Sequence, residues 1–122
     1  MFRFLSIGLM SLTSFVMASG LASADEKKPE SQGVTYDDHI AAIFKRHCLQ
    51  CHGDSKQEAG LSLSSFAAVT KGSSGGAVLV AGRSSSSRLF QAITAEDAAE
   101  RMPPQNDPLP KEQIALIKSW ID

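Results

Sequence analysis

Five consecutive residues, Cys48-Leu49-Gln50-Cys51-His52, hold the densest chemistry in the sequence. Two thiols three positions apart are able to add across the two vinyl groups on one edge of a porphyrin. An imidazole directly after the second thiol then lies under the bound iron. The C-x-x-C-H spacing therefore reads as a covalent attachment site for one haem c, with Cys48 and Cys51 as thioether anchors and His52 as the proximal iron ligand. Three other chemistries share part of the pattern. A thioredoxin-like redox pair needs a surrounding βαβ pattern, which the sequence lacks. A zinc site needs four ligands, and outside the motif only His39 and His47 remain to add nitrogen donors. A plain Cys48–Cys51 disulfide is the third.

The second ligand expected at the iron is Met102. Met1, Met10 and Met17 all fall in the first 24 residues, so Met102 is the only methionine in the rest of the chain. Its thioether is a soft donor suited to haem iron, and Pro103 and Pro104 restrict the backbone that presents it. The competing reading of an isolated methionine is a core filler. His39 and His47 are read as structural, with His39 as the minor candidate for the second iron position. His47 directly precedes the first anchor and is not expected to reach the opposite face of the haem.

The elements that must position these residues are helical. Thr35 with Asp38 has capping-box spacing, and Tyr36, Ile40, Ile43 and Phe44 fall on one face of a helix over 36–47 that delivers Cys48 at its end. Tyr36 and Phe44 are read as core rather than electron conduits. Gly53 to Gly60 is a polar connector. Leu61, Leu63 and Phe66 are expected in the wall of the haem pocket, on an extended segment or short turn. Lys71 to Gly76 is a glycine-rich loop, and Ala77 to Ala81 a short apolar run. A hydroxyl at Ser86 or Ser87 is expected to cap a helix whose Leu89, Phe90 and Ile93 face inward. Thr94 to Glu100 is a surface turn. Pro108 and Pro110 lie at the entrance of a last helix, where Ile114, Ile117 and Ile121, widened by Leu116 and Trp120, form a stripe that packs on the first helix.

The totals set bounds. Of 122 residues the first 24 read as a secretory signal: Arg3, an apolar run from Leu5 to Val16, and Ala22-Ser23-Ala24 before Asp25-Glu26. That run is shorter than the ~20 residues of a membrane span, so no span is expected after cleavage. Residues 25–34 read as a flexible linker and 35–122 as one small domain. Exported thiols reserved for a cofactor fit an oxidising, periplasmic compartment. The chain has 12 basic and 13 acidic side chains with no basic cluster, which argues against nucleic acid as a partner.

Taken together, the motifs resemble the planctomycete-type cytochrome c domain, within the class I c-type cytochromes. The resemblance runs from the Tyr36/Ile40/Phe44 helix through Cys48-x-x-Cys51-His52-Gly53, Gly60-Leu61-x-Leu63, Val80-Ala81-Gly82 and Met102-Pro103-Pro104 to Ile114, Ile117, Trp120 and Ile121. It implies an all-α cytochrome c-like fold, three to four helices with long loops around one covalent haem, with His52 and Met102 as axial ligands and electron transfer to redox partner proteins. Ala81 stands where such domains often have proline, and Pro110 where the last helix often has a hydroxyl cap. Such domains usually continue past the Trp-Ile pair, so this sequence is expected to be part of a longer one. The reading is an exported monohaem electron carrier rather than an enzyme. A haem-based sensor or gas-binding domain, in which Met102 leaves the iron, and a haem module of a larger exported enzyme are the two alternatives.

Overall fold

A computed structural model of the chain describes residues 33–122. The segment read as a signal peptide, 1–24, and nearly all of that read as a linker, 25–34, lie outside the described residues. The fold is all-α, with five α-helices and no β-strand among the described residues: α1 (Ala41–His47), α2 (Leu49–His52), α3 (Phe66–Lys71), α4 (Arg88–Thr94) and α5 (Lys111–Ile121). The sequence suggests three to four; the additions are the single turn α2 and the short α3. None of them is long and apolar enough to cross a membrane.

The capping signal at Thr35 works as expected. Its Oγ1 accepts from the Asp38 amide at 3.2 Å and donates to the Asp38 carboxylate at 2.8 Å, satisfying an amide that a helix start leaves without a partner. The first turn, Tyr36–Ile40, is wound as a π-turn before α1 proper begins. His39 belongs to this cap: its Nδ1 accepts from the Thr35 amide at 3.2 Å.

The core gathers the faces that the periodicity marks: Tyr36, Ile40, Ile43 and Phe44 from the first helical segment, Leu89 and Ile93 from α4, Ile117 and Ile121 from α5. Phe44 and Ile117 are at most 1% exposed. Burying side chains of this size stabilises the fold by about 1.5–3 kcal/mol each, as an upper estimate. Trp120 joins the two ends of the chain, with its ring centroid 5.9 Å from Tyr36 and 6.3 Å from Phe44. These offset and edge contacts suit the charge distribution of aromatic rings. α5 therefore crosses the Tyr36–Ile40 turn and α4, so the stripe reading of the last helix holds.

Two local expectations fail. Phe66 does not face the interior; it opens α3 as a 53% exposed residue, its ring meeting Tyr36 at a tilt and Trp120 edge-on. Ser65 caps that helix by accepting from the Ala68 amide at 3.1 Å, which sets Phe66 at the first helical position and turns it outward. Ser87 begins α4 but its hydroxyl does not cap the helix. It is fully buried, accepts from the Val80 amide at 2.8 Å and donates to the Arg83 carbonyl at 2.9 Å, fastening the preceding loop instead.

Candidate functional site

α1 ends by donating the Cys48 amide to the Phe44 carbonyl at 2.8 Å. The backbone breaks direction at Cys48, then closes one further turn in which the Cys51 and His52 amides both donate to the Cys48 carbonyl, at 3.1 and 2.9 Å. That turn sets both thiols and the imidazole on consecutive faces of a fixed frame. It is clamped from outside: the Leu63 amide donates to the His52 carbonyl at 2.7 Å, and Gly53 to Lys56 at 2.8 Å. The Leu63 carbonyl in turn accepts the Tyr36 hydroxyl at 2.6 Å. Burial, helped by the carboxylates of Asp37 and Asp54, pushes the Tyr36 phenol above its usual range, so it stays a hydrogen-bond donor at neutral pH.

Around this frame lies a cavity of about 520 Å³, well inside the roughly 300–1,000 Å³ range of small-molecule and cofactor sites. Cys48, Cys51, His52 and Met102, the four residues singled out from sequence, all line it. Its walls are apolar and come from every main helix: Phe44 of α1, Leu89 and Ile93 of α4, Ile117 of α5, with Leu61 and Leu63 from the connector and Leu109 from the approach to α5. Phe66 is not among them. His39, the minor candidate for a second ligand, is also outside the lining.

Met102 reaches the cavity from a long loop between α4 and α5. Its amide donates to the Ala92 carbonyl at 2.9 Å, tying the loop to α4, and its side chain is 39% exposed. Pro103 and Pro104 also line the cavity, and the Met102–Pro103 bond is cis. Beyond them Gln105 adopts a left-handed backbone with φ of 59°, and the Asn106 side chain folds back, Nδ2 donating to the Pro104 carbonyl at 3.2 Å.

The donor set fits a covalently held iron porphyrin. Cys48 and Cys51 are free thiols, and burial pushes the Cys48 thiol up to about 11, holding it protonated. Two imidazole nitrogens in the lining, His52 Nδ1 and His47 Nε2, are buried with no hydrogen-bond partner, and a buried polar atom left so is costly unless a ligand or its own ring flip satisfies it. The zinc alternative needs a preformed cluster. Among the described residues no group of three or more histidine, cysteine or acidic side chains is disposed to hold a metal ion.

Four polar members of the lining have no role in the sequence reading: His47, Gln50, Glu58 and Asn106. His47 lies near the middle of the apolar stripe of its helix, which is the available signal, although a structural histidine is the commoner case at such a position. Glu58 and Asn106 sit in connectors without periodicity, where no pattern tells inside from outside.

The planctomycete cytochrome C family matches residues 48–106, which span the C-x-x-C-H motif, the connector, α3, α4 and the Met102 loop. No curated protein and no solved structure matches the chain.

Proposed function

We propose, from the match of residues 48–106 to the planctomycete cytochrome C family, that this protein is an exported monohaem cytochrome carrying single electrons between redox partner proteins. Cys48 and Cys51 hold the haem c by thioether bonds, His52 is the proximal ligand and Met102 the distal one. The observation that supports this most directly is that these four side chains, two of them 50 residues apart or more in sequence, line one apolar cavity.

The bound haem supplies a one-electron couple between ferric and ferrous iron. What the chain adds is position and environment. The turn of α2, clamped through the His52 carbonyl, fixes the proximal imidazole, while Met102 offers a neutral thioether that favours the ferrous state over what a second imidazole would give. The walls of Phe44, Leu63, Leu89, Ile93 and Ile117 exclude water and lower the local dielectric, which also penalises the charged ferric form. Were His52 and Met102 both to hold the haem iron, no position would remain open there for a substrate. Export, with cleavage after Ala24, delivers the thiols to the compartment where such attachment is made.

The test is the ferric absorption spectrum of the protein matured in a periplasm with haem-attachment machinery, beside Met102→Ala. A weak far-red sulfur-to-iron band present in the parent and lost in the variant is expected. A haem-bearing parent without that band removes Met102 from the iron and favours the sensor alternative. Absence of covalent haem overturns the reading of Cys48 and Cys51.

A further inference from the structure

The first helical turn and the connector after the C-x-x-C-H motif meet at Leu63, whose two main-chain groups are both taken. Its amide donates to the His52 carbonyl at 2.7 Å, and its carbonyl accepts the Tyr36 hydroxyl at 2.6 Å. Leu63 is buried and lines the cavity. Tyr36 comes from 27 residues earlier, and its place does not depend on this bond. Its ring packs against Phe44, Phe66 and Trp120, with centroids 6.1, 6.2 and 5.9 Å away. A hydroxyl on a ring held from three sides loses little further freedom when it bonds. The His52 imidazole has no such support of its own. Its Nδ1 is buried without a hydrogen-bond partner among the described residues, whereas a metal-ligating histidine commonly donates that N–H to an acceptor. His52 is therefore oriented through its main chain, by its amide on the Cys48 carbonyl at 2.9 Å and its carbonyl on the Leu63 amide.

We propose that Tyr36 is a positioning residue for His52: its hydroxyl fixes Leu63, and Leu63 fixes the turn on which the imidazole stands. The inference rests on the reading of His52 as proximal ligand and deepens it. The two bonds act in series. Without the hydroxyl the Leu63 carbonyl is left buried and unpaired, and the connector relieves that by turning the peptide towards solvent, which draws the Leu63 amide off the His52 carbonyl. The His52 turn then keeps its inner bond to Cys48 and loses its outer clamp. Removing one buried bond of this kind shifts a local opening equilibrium by about tenfold. The ring stays in place, because its three aromatic contacts do not need the hydroxyl. Ile40, fully buried in the same helical turn, supplies the comparison: it adds apolar packing and has no side-chain donor for Leu63.

The experiment uses the haem-loaded protein as parent, Tyr36→Phe and Ile40→Val. The readouts are the ferric electron-paramagnetic g-values, which follow the orientation of the axial imidazole, and amide hydrogen exchange in the ferrous protein. Exchange is read as the rate at Leu63 divided by that at Ile117, inside α5, so that a change in global stability cancels. In Tyr36→Phe the ratio is expected to rise about tenfold and the g-values to shift. In Ile40→Val both should match the parent although the melting temperature falls. A Tyr36→Phe protein that melts lower with ratio and g-values unchanged would overturn the inference, leaving Tyr36 a core residue. A raised ratio with unchanged g-values would overturn it too, because the clamp would then not reach the ligand, and so would g-values shifted equally in Ile40→Val. A second arm needs no weakened chain: 3-fluorotyrosine in place of the only tyrosine is a stronger donor and should lower the ratio. Should Tyr36→Phe fail to accumulate, an unchanged ratio in that arm overturns the inference by itself. His52→Ala separates the two readings: a low-spin spectrum that survives it removes His52 from the iron, and this inference falls with that reading.

Discussion

Gly53 directly follows His52, the proposed proximal ligand, and its lack of a side chain has a steric reason. A Cβ built there would lie 2.4 Å from the Leu49 carbonyl oxygen and 3.3 Å from its carbon. Ordinary contact begins near 3.4 Å, so about 1 Å must be recovered. Both partners are backbone, so no rotamer change relieves the overlap. The displacement has to be taken up between Leu49 and Gly53, the four-residue step that contains Cys51 and His52. Overpacking against rigid neighbours costs about 1–3 kcal/mol, and an overlap this deep against backbone belongs at the upper end, about 3 kcal/mol. For a domain of this size each kcal/mol lowers the melting temperature by roughly 4–8 °C. Gly53→Ala is therefore expected to melt about 12–24 °C below the parent and to change the ferric spectrum, because the strain falls on the ligand's own turn. Gly76→Ala is the control: its φ of 101° makes alanine unfavourable, but nothing lies within 4 Å of the new Cβ. It should lose about 1–2 kcal/mol with the spectrum unchanged. A Gly53→Ala protein that melts with the parent and keeps its spectrum would refute the account of how α2 holds His52.

Two titrations test other parts of the fold. The Asp122 carboxyl is held down at about 2 by the Lys118 ammonium and by the Ser84 amide and hydroxyl, whereas an unfolded aspartate titrates near 3.9. Its folded pKa is depressed, so its stabilising effect is present above pH ~4 and is lost as pH falls towards 2. The stability gap between parent and Asp122→Asn, measured by denaturant unfolding, should be constant from neutral pH to about 4 and close below it. In the reduced apoprotein, burial holds the Cys48 thiol at about 11, so alkylation of Cys48 by iodoacetamide at pH 8 should be slower than that of a small-molecule thiol by about tenfold or more and should rise until pH ~11. A Cys48 rate equal to the free thiol would mean that the site is open in the apoprotein.

Much of the site was legible because its signals are local or periodic. The C-x-x-C-H motif needs one helical turn to express its geometry. Phe44, Leu89, Ile93 and Ile117 belong to stripes whose direction is fixed by helix period. Residues whose role depends on where a loop ends were not legible. Phe66 follows Leu61 and Leu63 in an apolar pattern, yet the Ser65 cap starts a helix there and turns it outward. Ser87 has the right type and place for a cap, but the buried Val80 amide and Arg83 carbonyl compete for its hydroxyl. Asn106 lies in a polar run with no period at all, and only the left-handed Gln105 returns it to the cavity.

The two sides of the site are built with different stiffness, and that difference bears on function. On the proximal side the motif is short, contiguous and wound into one turn. Its carbonyls and amides are bonded to Phe44, Leu63 and Lys56, and the two thiols proposed as haem anchors stand on the same turn, ahead of His52. Opening that side would break several bonds together. On the distal side Met102 stands on a loop with one amide bond to Ala92 and two prolines that bring no amide, while the Asn106 bond to Pro104 lies within the loop itself. Opening there breaks the one bond to Ala92. An electron carrier and a ligand-sensing domain can therefore share all four site residues and differ only in the stability of this loop. The discriminating quantity is the free energy of loop release, and the residues that set it are those around Met102 rather than the ligands themselves.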